Sequence, residues 1–184
     1  MDNSIILVTG SNTGLGLEIV RALFRSLKAY TVLLGSRSEA NAKSVVHQLQ
    51  AEFPNSETIV SSVQVDLEDD ESIQKAFNYV SRRFGRVDQG WPKATGSITA
   101  YRASKTGMNM MMRGWTRILK HDGVKTFCVS PGFLATGLGG NQERNREMGA
   151  IDPAIGAEFI REVVEGFRDK DEGMVVRRDG IQPW

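Results

Sequence analysis

Two short stretches carry residue types whose spacing can do chemistry. In Tyr101-Arg102-Ala103-Ser104-Lys105 the tyrosine and the lysine are four positions apart, which on a helix puts them one turn apart on a shared face. An ammonium beside a phenol favours the phenolate and draws its pKa down from about 10 toward the working range of a general acid or base. Such a tyrosine could protonate a carbonyl oxygen as hydride arrives. Taken alone, the pair suits an exposed helix surface equally well. The second stretch is Thr9-Gly10-Ser11-Asn12-Thr13-Gly14-Leu15-Gly16, which lies between the apolar run Ile5-Ile6-Leu7-Val8 and an amphipathic segment at 17–27. Glycines let the backbone take positive φ and approach a ligand closely, and the unpaired N–H groups of a helix start attract phosphate. A strand feeding such a turn and then a helix implies a nucleotide pyrophosphate, the alternative being an ordinary tight turn.

The surrounding chain supplies elements that can position these residues. Residues 4–9 read as a strand, and Ile19, Val20, Leu23, Phe24 and Leu27 recur at helical spacing behind the glycines. A β-branched, apolar run at 30–35 gives a second strand, after which Ser38 can cap a helix carrying Ala42, Val45, Val46, Leu49 and Phe53 that Pro54 stops. A third strand at 58–65 leads to a helix that starts at Asp69 or Asp70, carries Ile73, Ala76, Phe77, Val80 and Phe84, and ends at Gly85. This strand–helix alternation predicts a parallel sheet wrapped by helices in a single domain covering 1–184. The tyrosine helix continues through Met108, Met111, Met112, Trp115 and Ile118 or Leu119, a stripe that reads as core. Residues 124–130 form the next strand, 133–150 a glycine-rich polar loop, Asp152-Pro153 the start of a last helix with Ile155, Phe159, Ile160, Val163 and Phe167, and 174–177 a final strand.

In such a sheet the acceptor for the nucleotide's ribose belongs at the end of strand two, roughly 20 residues past the glycines. Ser36-Arg37-Ser38 stands there. An acidic residue would hold the free 2′-hydroxyl of NAD, whereas the planar fork of Arg37 suits the 2′-phosphate of NADP. Asp66 and Leu67, at the end of strand three, fall near the adenine, though Asp66 could simply cap the helix that follows.

Composition narrows the partners. Twenty-three basic against twenty-two acidic residues leave a formal net charge of +1, with no basic run to suggest nucleic acid or a membrane surface. The chain also has no apolar run near the roughly 18 residues of a membrane helix, and its start does not resemble a secretory leader. The single cysteine, Cys128, lies in an apolar strand pattern, and neither His47 nor His121 has a partner at metal-ligand spacing. We therefore expect a cytoplasmic protein with a small-molecule ligand, no metal, no nucleic acid and no membrane, and leave association with its own copies open.

Taken together, the TGxxxGxG pattern at 9–16, Asp66, the YxxxK pair Tyr101/Lys105, and Ser130-Pro131-Gly132 followed by Thr136 resemble the short-chain dehydrogenase/reductase family over nearly the whole chain. Ser36-Arg37 and the ending Asp179-Gly180-Ile181-Gln182-Pro183-Trp184 resemble its NADP-dependent, carbonyl-reductase-like members. The resemblance implies an α/β, Rossmann-like doubly wound parallel sheet and NADP(H) bound by Gly10, Ser11, Asn12, Thr13, Gly14, Leu15, Gly16, Arg37, Asp66 and Leu67. It makes Tyr101 the acid/base, with Lys105 holding the nicotinamide ribose and lowering the tyrosine's pKa. Pro131-Gly132 would turn beside the nicotinamide, with Thr136 near the cofactor's amide or phosphate, and 133–150 would cover the substrate.

The chain departs from the family between Phe84 and Tyr101. There the family has a strand ending in an Asn-Asn-Ala-Gly turn, a long helix with a catalytic asparagine, and a strand with a catalytic serine, whereas this chain has only 85–100. A strand–helix–strand unit on the order of 40 or more residues is missing around Asp88-Gln89, and strands four and five go with it. Thr95, Ser97 and Thr99 are too close to Tyr101 to stand in for the serine. If strand six at 124–129 then paired directly with strand one, Tyr101 would shift by about two strand spacings, roughly 10 Å, more than catalysis tolerates. Two accounts stay open: a real excision, which favours a catalytically inactive nucleotide-binding module, or a sequence as written that omits residues of an ordinary family member.

Overall fold

A computed structural model describes residues 4–84, 89–91, 98–138 and 141–182, with the backbone alone at 70, 89–91 and 98–103. The described chain groups into two compact units, Met1–Lys93 with Thr136–Gln142, and Ala94–Ala135 with Glu143–Trp184.

In the first unit, β1 (Ser4–Val8) buries Ile5, Ile6 and Val8, as a strand covered on both faces must. It pairs in parallel with β2 (Tyr30–Ser36), in register from Ser4 opposite Tyr30 to Val8 opposite Leu34, and β2 pairs in parallel with β3 (Ile59–Gln64). Three helices connect and cover these strands. Helix α1 (Gly14–Arg25) buries Ile19, Val20, Leu23 and Phe24. Helix α2 (Glu39–Glu52) starts where Ser38 accepts the N–H of Asn41, and Phe53 beyond its end stacks on Phe24 with ring centroids 5.3 Å apart. Helix α3 (Asp70–Phe84) contributes Ala76 and Val80 to a cluster with Ile5, Leu33, Val63 and Val65. Phe77, expected to face inward, is 65% exposed, because the buried stripe of α3 is no wider than Ala76 and Val80.

The outer neighbour of β1 is a strand that the sequence reading counted with the missing segment. A three-residue strand, β4 (Gln89–Trp91), pairs with β1 in parallel from Ile6 opposite Gln89 to Val8 opposite Trp91, giving the order β3-β2-β1-β4. This corrects the arrangement in which strand six closes onto strand one: both sides of β1 are already occupied. Only 92–97 lie between β4 and the next helix, too few for the family's missing helix and strand. Asp88, where the excision was placed, is outside the described residues.

The second unit is built on α4 (Ile98–Leu119), which begins three residues before Tyr101. Its sheet has the order β5-β6-β7, made by β5 (Cys128–Ser130), β6 (Val175–Arg177) in parallel, and β7 (Gly180–Ile181) antiparallel. Strand β5 is shorter than the apolar run 124–130, because a ladder extends only as far as its partner and β6 has three residues. Arg168 ties this hairpin down, its guanidinium donating to Asp171 (2.6 Å), the Arg177 carbonyl (2.9 Å) and the Gly180 carbonyl (3.1 Å). Helix α6 (Pro153–Val164) is capped by Asp152 and buries Phe159, Ile160 and Val163, while Phe167 lies beyond its end and is exposed. The stretch read as loop at 133–150 contains a short helix, α5 (Gln142–Glu147). The core reading of the methionine stripe holds for Met112, buried with Cys128 and Val175, and for Met108 packed against them. It fails for Met111, Trp115 and Ile118, which are exposed: at spacings of four and three they share the side of α4 turned away from β5.

Candidate functional site

The glycine turn is shaped by close approach. Gly10 and Gly14 take φ of 60° and 57°, the left-handed region that glycine enters without strain. At Gly16 an added Cβ would lie 2.6 Å from the Gly10 carbonyl oxygen and 2.8 Å from the Ser11 Cα, so α1 presses its first turn onto the loop and only glycine fits. Thr13, the N-cap of α1, is extended and makes no side-chain capping bond, and the first turn holds no acidic residue. The opening N–H groups of α1 therefore lack both an intrahelical acceptor and a capping side chain, which leaves the positive end of the helix for an anion.

Ser11 acts inside this turn. It is fully buried; its hydroxyl donates to the Val8 carbonyl at 2.6 Å and its backbone N–H to the Gly35 carbonyl at 3.0 Å. Its hydroxyl and its N–H are both turned to the protein, so it holds the turn in place. The hydroxyl of Thr9, buried at the end of β1, has no partner among the described residues.

Ser11's bond to Gly35 joins the glycine turn to the turn that carries Arg37. Gly35 is enclosed, since a Cβ there would lie 3.1 Å from each of the Thr9 Cα, the Val65 Cγ1 and the Val8 oxygen. Buried Ser36 accepts the Ser38 N–H at 3.2 Å, and the Gln64 amide donates to the Arg37 carbonyl at 3.4 Å. The Arg37 backbone is thus held while its side chain stays exposed. One strand further on, Asp66 accepts the Glu68 N–H at 3.1 Å, so its carboxylate already closes its own turn, and Leu67 beside it is part-exposed. Residues 10–16, 37, 66 and 67 all follow the carboxyl ends of β1, β2 and β3, where open α/β sheets bind ligands.

In the second unit, α4 includes positions 101 and 105 one turn apart; the Tyr101 side chain is outside the described residues. Lys105 is half-buried and acts electrostatically on Cys128, whose thiol burial pushes up while the lysine's charge pulls it down. Pro131 and Gly132 follow β5, with Gly132 at φ 103°. Their turn rests on a residue the sequence reading missed. A Cβ on Gly156 of α6 would lie 2.7 Å from Leu134 Cδ1 and 3.2 Å from Pro131 Cβ. Its signal was available: a glycine inside an apolar helix costs stability unless something needs the space. Thr136 groups with the first unit and accepts the Leu138 N–H at 3.3 Å.

A family model described as short chain dehydrogenase matches residues 4–89 and 92–147. The chain belongs to the short-chain dehydrogenase family. It is 30% identical over 262 residues to the short-chain dehydrogenase/reductase tropE of Talaromyces stipitatus, with 100% of this chain and 98% of that protein covered. Identity to the short-chain dehydrogenase/reductase eupG of a Phoma species is 28% over 270 residues, covering 98% and 97%. An alignment of 270 positions against 184 residues leaves at least 86 positions facing a gap in this chain. The family match breaks between 89 and 92, and the shortness of the chain against this relative fits the missing segment expected from the sequence. Among solved structures, the NADPH-bound carbonyl reductase from chicken fatty liver superposes with a TM-score of 0.79 at 16% identity over 100% of both chains, which establishes the Rossmann-like fold. In this short-chain dehydrogenase the crowded Gly16, the N-cap Thr13 without a side-chain bond and the held Arg37 backbone all lie beyond the carboxyl ends of β1 and β2.

Proposed function

We propose that this short-chain dehydrogenase is an NADP-dependent oxidoreductase interconverting a carbonyl and an alcohol, its 184 residues forming one NADP-binding domain. The observation that carries the reading is the pairing of an uncapped α1 with Arg37, joined through the Ser11–Gly35 bond. The NADPH named for the chicken-liver structure supports the same choice. Gly10, Asn12, Thr13, Gly14, Leu15 and Gly16 present backbone N–H groups to the pyrophosphate on a turn that Ser11 holds in shape, Arg37 holds the 2′-phosphate, and Asp66 and Leu67 flank the adenine. Pro131, Gly132 and Thr136 line the nicotinamide side.

Bound NADPH supplies the hydride. The Tyr101 hydroxyl gives its proton to the substrate oxygen, and the Lys105 ammonium stabilises the phenolate left behind. In the reverse direction the phenolate takes the alcohol's proton. No helix among the described residues is long and apolar enough to cross a membrane, and we place the protein in the cytoplasm.

Tyr101→Phe tests the assignment. Turnover should vanish while NADPH affinity stays within about twofold, because the hydroxyl serves proton transfer. A variant as fast as the parent on any carbonyl substrate ends the catalytic role of Tyr101. The gap of at least 86 positions favours a second reading, an inactive nucleotide-binding module. That reading expects NADPH binding, no NADPH oxidation with any of a broad ketone and aldehyde panel, and no effect of Tyr101→Phe beyond stability.

A further inference from the structure

Helix α4 carries on its outer side a pattern that the candidate site leaves unused. Met108 and Met112 pack inward with Cys128 and Val175, while Met110 (61% exposed), Met111 (54%), Trp115 (45%) and Ile118 (68%) face outward. Gly107 and Gly114 lie among them, and no described atom comes within 4 Å of where a Cβ on either would stand. Glycine inside a helix costs stability relative to alanine, and neither of these two has a positive φ that would require it. Gly16 and Gly156 are explained by atoms of this chain that crowd them; Gly107 and Gly114 have no such explanation. We infer that this face of α4 is the contact between two copies of the chain, packed antiparallel about a two-fold axis, with each glycine a hole for Met111 or Ile118 of the other copy. The inference is independent of the NADP reading.

Symmetry selects a second copy as the occupant. Gly107, Met111, Gly114 and Ile118 alternate small and large at spacings of four, three and four, so they form one row along the helix. Antiparallel pairing about a point between Met112 and Arg113 sets Gly107 opposite Ile118 of the second copy and Met111 opposite Gly114 of the second copy, and the two-fold axis repeats both contacts. Reversed end to end, the row is complementary to itself, which a surface shaped for an unlike partner has no reason to be. Charge allows the same pairing. The row holds no ionisable side chain, and Arg113 and Arg117 fall to one flank of it. The two Arg117 positions would stand nine residues apart along the axis, about 13 Å, beyond the Debye length of about 8 Å at physiological salt. Met110 and Trp115 border the row on either side, which makes six residues a copy against roughly 20–30 in a standard interface. The pair should therefore be weak and reversible, with Kd on the order of 10 µM.

Sedimentation velocity of the full chain between about 1 µM and about 300 µM reads the association. The average mass should climb from 20.3 kDa toward twice that value. Gly107→Gln and Gly114→Gln each fill a hole with a neutral side chain of better helix propensity. Each should weaken the pair about tenfold or more, while the thermal midpoint at about 1 µM, where the chain is single, stays level or rises. Chains carrying Gly107→Cys and chains carrying Ile118→Cys should form an interchain disulfide when mixed and not separately. Each position lies eleven residues, about 16 Å, from its own counterpart across the axis, too far for a disulfide, and the native Cys128 is buried. A mass that stays at 20.3 kDa over the whole range overturns the inference, and so does a dimer that both glycine variants leave unchanged. Crosslinking by either cysteine variant alone overturns the antiparallel pairing. A protein heavier than the written sequence that remains single at every concentration also overturns it, because its additional residues then cover this face.

Discussion

Ser11 and Arg37 stand on the turns after neighbouring strands and take opposite parts. Ser11 is buried with both polar groups spent on carbonyls, and Arg37 is exposed with only its backbone held. Specificity should therefore follow Arg37. Arg37→Glu replaces a phosphate-holding fork by a carboxylate that repels phosphate and can accept from a ribose hydroxyl, so NADPH should lose its advantage over NADH. Fluorescence titration of both cofactors reads this, and equal affinities in the unmutated chain would remove Arg37 from its role. Cys128 carries the pH prediction. Its folded pKa is raised by burial above the ordinary 9.0, so only the unfolded chain gives up the proton in the interval between the two values. The contribution to stability is whole below about pH 9 and disappears as pH rises through the folded value. Urea midpoints at pH 7 and pH 10 should fall less in Cys128→Ala than in the parent; identical pH slopes in the two proteins contradict it.

At the scale of elements, two glycines set how closely helices approach turns. Gly16→Ala would drive a Cβ to 2.6 Å from backbone oxygen, so α1 must lift off the phosphate turn. NADPH affinity should fall about tenfold or more, with a modest loss of stability. Gly156→Ala meets the Leu134 side chain and Pro131 in the second unit, an overpacking that costs about 1–3 kcal/mol. It should lower the thermal midpoint. Full NADPH affinity in Gly16→Ala, or an unchanged thermal midpoint in Gly156→Ala, would mean that the two glycines have been given the wrong jobs.

For the whole molecule the decisive quantity is mass. The sequence corresponds to 20.3 kDa, and at least 86 positions present in the Phoma relative have no counterpart in it. An excised chain should give an intact mass at 20.3 kDa, whereas a protein whose written sequence omits those positions should be heavier by roughly 9 kDa, at about 110 Da a residue. β4 supplies the physical reason that an excised chain can keep its first sheet: Gln89–Trp91 occupies the free side of β1.

The sequence by itself determined the alternation of strands and helices, the Ser38 and Asp152 caps, the burial of Cys128 and the glycine turn at 10–16, because each depends on local periodicity or on a backbone conformation that few residue types allow. It also located the missing segment, since the motifs on either side keep their order while the interval between them shrinks. Tertiary structure decided the rest. β4 was illegible because three residues of strand have no periodicity of their own and exist only as the partner of β1. Whether Met111 or Met112 is core depends on what lies across from it in space; helical spacing is the same in either case. Gly156 became meaningful only when Leu134 and Pro131 were found against it, a contact between residues more than twenty positions apart that no local pattern encodes.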